Sequence, residues 1–211
     1  CGIGADAVAL ARAGLSVTAV DSDPLRVAMC AANAAALGLE GRVRAVVGDA
    51  LDVPLPDVKA AFCDPDRRSG GRRFLDPEDY SPSLSALRGR FGADFPLAVK
   101  VAPGVARSDL PADAEAEFVS LRGELKECAL LFGPLRTAAR RATVLPSGDA
   151  LTSRGDEPPA AVAEGVGAVL YDPDPAVARA GLVPLLAERL GAEAIDFEVQ
   201  LLTSDAHTPT P

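Results

Sequence analysis

What the chain lacks narrows its chemistry before any motif is found. It has one histidine, His207, near its end, and four cysteines, Cys1, Cys30, Cys63 and Cys128, no two of them in a Cys-x-x-Cys pair. A structural zinc site takes several such ligands at short spacing, so no metal site is expected. There is no apolar run near the roughly 18 residues of a membrane-spanning helix, and no secretory leader. Unpaired thiols in a core-forming chain point to a reducing compartment, so the expectation is a soluble cytoplasmic protein with no membrane contact. Internal repeats and low-complexity tracts are also missing.

What is present is a folding composition: 211 residues, 48% hydrophobic and 24% charged. A chain of this size buries roughly 70% of the surface its unfolded form exposes, enough for a core without staples. Its net charge of -9 is uneven. Residues 153 to 211 hold three arginines, no lysine and ten acids, a net -7. That step coincides with a Gly/Pro-rich stretch from Ser147-Gly148-Asp149 to Pro158-Pro159, so domains are expected at 1-150 and 151-211. The acidic balance argues against a nonspecific nucleic-acid coat, which needs many cations. The chain opens on Cys1-Gly2-Ile3-Gly4, without an initiator methionine and inside what reads as a glycine loop. It closes on Thr208-Pro209-Thr210-Pro211 without a capped element, and the expectation is a fragment that lacks at least one preceding strand.

Helical spacing from Ala5 to Ala13, stopped by Gly14, predicts a first helix. Ser16 to Val20 reads as a strand ending on Asp21; Pro24 then opens a helix that runs to Leu37 and stops at Gly38. Strands are predicted at Arg42 to Val47 before Gly48-Asp49, at Lys59 to Cys63 before Asp64-Pro65, and at Leu97 to Val101 before Pro103-Gly104. This alternation predicts a parallel sheet with crossover helices. After Asp109 the apolar runs Glu117 to Leu121, Ala129 to Phe132 and Ala142 to Leu145 fit an antiparallel edge. Further on, a strand is predicted at Ala168 to Tyr171, one helix from Pro175 to Leu190 and a strand from Ala194 to Leu202.

Ligands of such sheets bind at the carboxyl ends of strands, where Gly2, Gly4, Asp21, Asp49 and Asp64 all fall. Glycines at 2 and 4 let the backbone approach a ligand at the start of a helix. Asp21 follows Gly2 by 19 positions, close to the roughly 20 at which an acid reaches ribose hydroxyls. Gly2-x-Gly4-x-x-Ala7 also matches a dinucleotide fingerprint, but the only histidine lies outside this region and a nicotinamide site leaves Asp49 and Asp64-Pro65 unexplained.

The ordered set resembles the class I S-adenosylmethionine-dependent methyltransferases over residues 1 to about 150. The resemblance implies an α/β, Rossmann-like doubly wound and mostly parallel sheet, its first strand missing here, followed by a small α+β C-terminal segment. It implies S-adenosyl-L-methionine as cofactor, with Cys1, Gly2 and Gly4 under its methionine part, Asp21 on its ribose, and Asp49 with Ala50 at its adenine. Asp64 and Pro65 fit the first two places of the amino-methyltransferase motif, but Asp66 and Arg67 replace its second proline and aromatic ring. Lys100-Val101-Ala102-Pro103-Gly104 holds no cysteine, so a covalent attack like that of uracil-methylating enzymes is disfavoured. The expectation is direct transfer to nitrogen or oxygen, with Asp64 as proton acceptor.

Arg67, Arg68, Arg72 and Arg73 surround Ser-Gly-Gly and read either as a solvated mobile loop or as a phosphate clamp, with Phe74 or Tyr80 as a ring for an unpaired base. Together with Asp76 to Pro82, Tyr171-Asp-Pro-Asp-Pro175 and Leu202-Thr-Ser-Asp205, these motifs resemble bacterial methyltransferase-like proteins that end in a THUMP-like domain. That resemblance implies a structured RNA, tRNA or rRNA, as partner. The alternatives are a small-molecule or protein methyltransferase and a non-catalytic binding module on the same fold.

Overall fold

The computed structural model describes residues 1–69, 71–153, 155, 157–196 and 199–210, with the side chains of Ser69, Arg72 and Arg73 outside that description. The chain forms two compact units, one of Cys1–Lys59 with Pro82–Arg90 and one of Ala60–Ser81 with Phe91–Pro211. Among the described residues no helix is long and apolar enough to cross a membrane.

The first unit alternates α1 (Ala5–Arg12), β1 (Val17–Asp21), α2 (Pro24–Ala36) and β2 (Val43–Val47), and holds most of α3 (Leu84–Phe91). Asp23 caps α2 by accepting from the Leu25 N–H at 2.8 Å, and Pro24 occupies the first turn, where a missing N–H costs nothing. The two strands pair in parallel from Val17 opposite Val43 to Asp21 opposite Val47. Ala7 and Ala11 of α1 and Cys30 and Ala34 of α2 are buried against Ala19 and Val43. Small side chains on both helices allow this close packing and set the height of the loop that opens the chain.

The second unit is built on a six-stranded sheet in the order β10-β9-β7-β8-β6-β3. Its strands are β3 (Ala61–Cys63), β6 (Leu97–Val101), β7 (Glu115–Leu121), β8 (Glu124–Phe132), β9 (Arg140–Leu145) and β10 (Asp149–Thr152); β4 (Arg68–Ser69) and β5 (Arg72–Arg73) make a separate two-stranded ribbon. β3 runs parallel to β6, and β8 is antiparallel to both β6 and β7, the antiparallel edge the sequence predicts. Val99, Val101, Phe118, Cys128, Leu130 and Ala142 are fully buried, and α4 (Pro175–Ala180) lies on β7 and β9.

The C-terminal part adds β11 (Val169–Tyr171), α5 (Val183–Leu190), β12 (Glu193–Ala194) and β13 (Leu202–Ser204), the three strands forming a small sheet. Two elements differ from the expectation. The single helix from Pro175 to Leu190 is two, because Gly181 takes a left-handed conformation (φ +68°) as the cap of α4 and Pro184 cannot donate into a continuing helix. Among the described residues the strand from Ala194 to Leu202 forms only at its ends, which are antiparallel, Ala194 pairing with Leu202. Phe197 and Glu198 between them lie outside the described residues.

The Ser147-Gly148 stretch is the turn of the β9–β10 hairpin, with the Gly148 N–H donating to the Val144 carbonyl at 2.9 Å. The sheet therefore continues across the composition step near residue 150. Gly and Ser mark turns inside a sheet as readily as linkers between domains.

Candidate functional site

At the carboxyl end of β1 the opening loop folds over the strand. Gly2 and Gly4 have φ of +55° and +91°, a left-handed backbone that favours glycine. A Cβ on Gly4 would lie 2.6 Å from Cys30 Sγ, so α1 meets α2 only because no side chain stands there; one on Gly2 would meet nothing within 4 Å. From α2, Asn33 donates to the Ile3 carbonyl at 2.8 Å and holds the loop from below.

Asp21 is the hub of this end. Its Oδ2 accepts from the Gly2 N–H at 2.7 Å and the Cys1 nitrogen at 2.9 Å, its Oδ1 from the Asp23 N–H at 3.0 Å, and its carbonyl from the Gly48 N–H at 2.9 Å. Burial pushes its pKa up, but hydrogen bonds from the Cys1 nitrogen and from the Asp23 and Gly2 N–H groups outweigh burial and hold the carboxyl below its ordinary value. Asp49 is exposed; its Oδ1 accepts from the Leu51 N–H at 2.8 Å and closes a turn around half-buried Ala50. Cys1, Gly2, Gly4, Asp21, Asp49 and Ala50 thus lie at the carboxyl ends of two paired strands, linked by the bonds that Asp21 makes to both sides.

In the second unit Asp64 follows β3 and is 43% exposed at its side chain; its Oδ2 lies 3.3 Å from Lys100 Nζ of β6. Pro65 is buried. The Asp66 N–H donates to the Ser81 carbonyl, the Asp66 carbonyl accepts from the Ser81 N–H, and Asp66 Oδ1 accepts from the Arg68 N–H, so the segment after β3 is pinned. Cys63 lies inside the strand, where burial pushes its thiol up to about 11. That is the wrong direction for a nucleophile at neutral pH.

The arginine segment is a ribbon rather than an open loop: Arg68 pairs with Arg73 and Ser69 with Arg72 across the turn holding Gly71 (φ +79°), and the Phe74 N–H donates to the Arg67 carbonyl. Arg67 is half-buried and Arg68 exposed. The side chains of Arg72 and Arg73 lie outside the described residues.

Tyr80 is a correction. Its residue is 5% exposed, and its hydroxyl donates to the Leu75 carbonyl at 3.2 Å and accepts from the Ala102 N–H at 3.0 Å. A ring enclosed and tethered in this way has no free face for a base. Tyr80 ties the segment after the ribbon to the loop after β6.

Sequence reasoning missed several residues that shape the two ends. Lys100 stands alone as a charge in the apolar run Leu97–Val101, and that isolation was the available signal. Arg179 of α4 donates to the Pro103 carbonyl at 2.9 Å and the Val105 carbonyl at 2.8 Å, fixing the loop after β6 from the C-terminal segment; nothing local in the sequence points to it. Cys30 and Asn33 hold the glycine loop, Asn33 being a residue that helix interiors disfavour.

Residues 1–65 match a family described as Methyltransferase domain. Two curated relatives, each named an uncharacterized S-adenosylmethionine-dependent methyltransferase, come from Mycobacterium tuberculosis strains CDC 1551 / Oshkosh and ATCC 25618 / H37Rv. Each is 35% identical over 215 aligned positions, covering 99% of this chain and 58% of the relative, so the chain spans little more than half the length of these relatives. Among solved structures, a putative methyltransferase from Porphyromonas gingivalis W83 shares the fold, with a TM-score of 0.68 and 20% identity over 91% of this chain and 52% of that one.

Proposed function

From a methyltransferase fold, and similarity to S-adenosylmethionine-dependent methyltransferases along 99% of the chain, we propose that this protein transfers a methyl group from S-adenosyl-L-methionine to nitrogen or oxygen of a structured RNA. The observation that carries the cofactor assignment is the meeting of the glycine loop, Asp21 and Gly48-Asp49 at one strand-end edge.

The residues present fit the cofactor. Gly2 has open space where a side chain would stand. Three N–H donors engage Asp21, out of roughly four acceptor positions on a carboxylate. Asp49 is exposed and turned outward by its own loop. In this reading Cys1, Gly2 and Gly4 lie under the methionine part, Asp21 accepts from the ribose and Asp49 with Ala50 meets the adenine. Bound there, the sulfonium supplies an activated methyl group.

The chain's own task is alignment. Asp64, ordered by Pro65, accepts hydrogen bonds from the methyl acceptor and takes up its proton. Arg67, Arg68, Arg72 and Arg73 bind phosphates of the RNA. In the same reading residues 1–150 are the methyltransferase domain and 151–211 a THUMP-like segment that helps grip the RNA, with β10 (Asp149–Thr152) spanning the boundary between them.

Calorimetry with S-adenosylmethionine and S-adenosylhomocysteine tests the cofactor site. Asp21→Ala is expected to weaken binding at least tenfold, about 1.4 kcal/mol; equal affinity in the variant contradicts the assignment. Labelled-methyl transfer to total cellular RNA tests the acceptor, and Asp64→Ala is expected to abolish it. Cofactor binding without transfer to RNA would favour a small-molecule or protein acceptor, in keeping with the net -7 of residues 153 to 211.

A further inference from the structure

Lys100 has a position that the reading above leaves without a role. It is the one charged residue of β6, in a strand whose other four residues are buried. Placing an ammonium there carries a desolvation cost that an apolar side chain would avoid. β6 lies between β3 and β8, and Asp64, just after β3, and Glu127 of β8 each bring a carboxylate to Lys100. Lys100 Nζ lies 3.3 Å from Asp64 Oδ2 and 3.3 Å from Glu127 Oε2. Pairing of Cys63 with Val99 sets Asp64, the next residue, beside Lys100. The lysine side chain is 18% exposed, against 43% for Asp64 and 39% for Glu127, so a shielded cation stands between two more open anions.

We infer that Lys100 is a positioning residue for Asp64, an inference that rests on Asp64 receiving the methyl acceptor. An isolated exposed ion pair holds its partners weakly, because both long side chains must be ordered for one contact. Here Glu127 anchors the ammonium from the far side. The ammonium therefore stays in place and stays compensated when Asp64 shares its charge with a substrate N–H. Held at one oxygen by Lys100, the Asp64 carboxylate keeps one rotamer and leaves its other oxygen for the acceptor. Small errors in such alignment cost rate steeply, about a hundredfold for a displacement of roughly 1 Å.

A lysine that merely ties three strands together would affect folding but not Asp64 itself, and the test separates the two. Lys100→Met and Lys100→Arg are compared with the unaltered protein in three measurements. Calorimetry with S-adenosylmethionine is expected to be unchanged, which reports an intact cofactor end. Carbodiimide coupling of glycine ethyl ester to Asp64, read by peptide mass spectrometry, is expected to rise severalfold in Lys100→Met and to return toward the original in Lys100→Arg. Methyl transfer to total cellular RNA is expected to lose at least about tenfold in kcat in Lys100→Met with the KM for the cofactor unchanged, and to recover in part in Lys100→Arg. Unchanged Asp64 coupling in Lys100→Met, or an unchanged kcat, overturns the inference. If the unaltered protein transfers no methyl group to RNA, the RNA reading fails by itself, and Asp64 coupling still decides for or against Lys100.

Discussion

At the scale of single residues, the opening loop depends on one carboxylate. Asp21 collects the loop, the start of α2 and the end of β2, and the donors at its carboxylate, from the loop and from Asp23, favour its ionised form. Its pKa falls below the ordinary 3.8 in the folded chain. A depressed carboxyl pKa contributes stability that is fully present above the unfolded value and is lost as pH drops through the folded one. We therefore predict that the first unit loses stability as pH drops below about 4 on account of this group. Urea unfolding across that window should show the loss in the unaltered protein and a flatter profile in Asp21→Asn; parallel profiles would remove Asp21 as the cause. Glu115 uses the same chemistry for a structural end: fully buried, it accepts from the Thr137 and Ala138 N–H groups and from Arg141, and these bonds outweigh burial to lower its pKa.

At the scale of elements, the loop after β6 is held from two directions. The Tyr80 hydroxyl takes the Ala102 N–H, and the Arg179 guanidinium takes the carbonyls of Pro103 and Val105. Removing the hydroxyl alone strands a donor, since Ala102 is 1% exposed. Tyr80→Phe is expected to cost about 1 to 3 kcal/mol, the penalty for an unsatisfied buried N–H, measured as a shift of the urea midpoint at constant slope. No shift would mean that water replaces the hydroxyl. Helices α1 and α2 and strand β6 were legible in the sequence because their signals are local: Pro24 and Gly38 bound α2, and an apolar run bounds β6. The break between α4 and α5 was legible in principle, at Gly181 and Pro184, but the apolar spacing runs through it and masked the stop. The split of the predicted strand at Ala194 to Leu202 had no such sign, because it depends on which segments pair.

At the scale of the whole molecule, each unit carries its own buried thiol, Cys30 in the first and Cys128 in the second, both with no exposed surface. Burial pushes Cys128 up to about 12 and raises Cys30 as well. Both are expected to resist iodoacetamide at neutral pH in the folded chain and to react once their own unit opens, so site-resolved alkylation against urea follows the two units separately. Native labelling at the rate of a free thiol would contradict the packing. The charge step near residue 150, so clear in composition, has no counterpart in the sheet, which runs on through β10 and is covered by α4 from beyond that step. Net charge is decided by side chains facing water, and sheet continuity by backbone pairing and apolar contacts, so the two need not change together.

The glycine loop, the acids at strand ends and the alternation of helix and strand could be read from the chain, since each rests on local backbone freedom and on a periodicity of two or 3.6 residues. Tertiary structure alone decided that Tyr80 is a buried tether rather than a stacking ring, that Arg179 reaches back over more than 70 positions to the loop after β6, and that Lys100 stands between Asp64 and Glu127. Those outcomes follow from pairing between strands far apart in sequence, which fixes what a side chain meets without leaving a mark beside it.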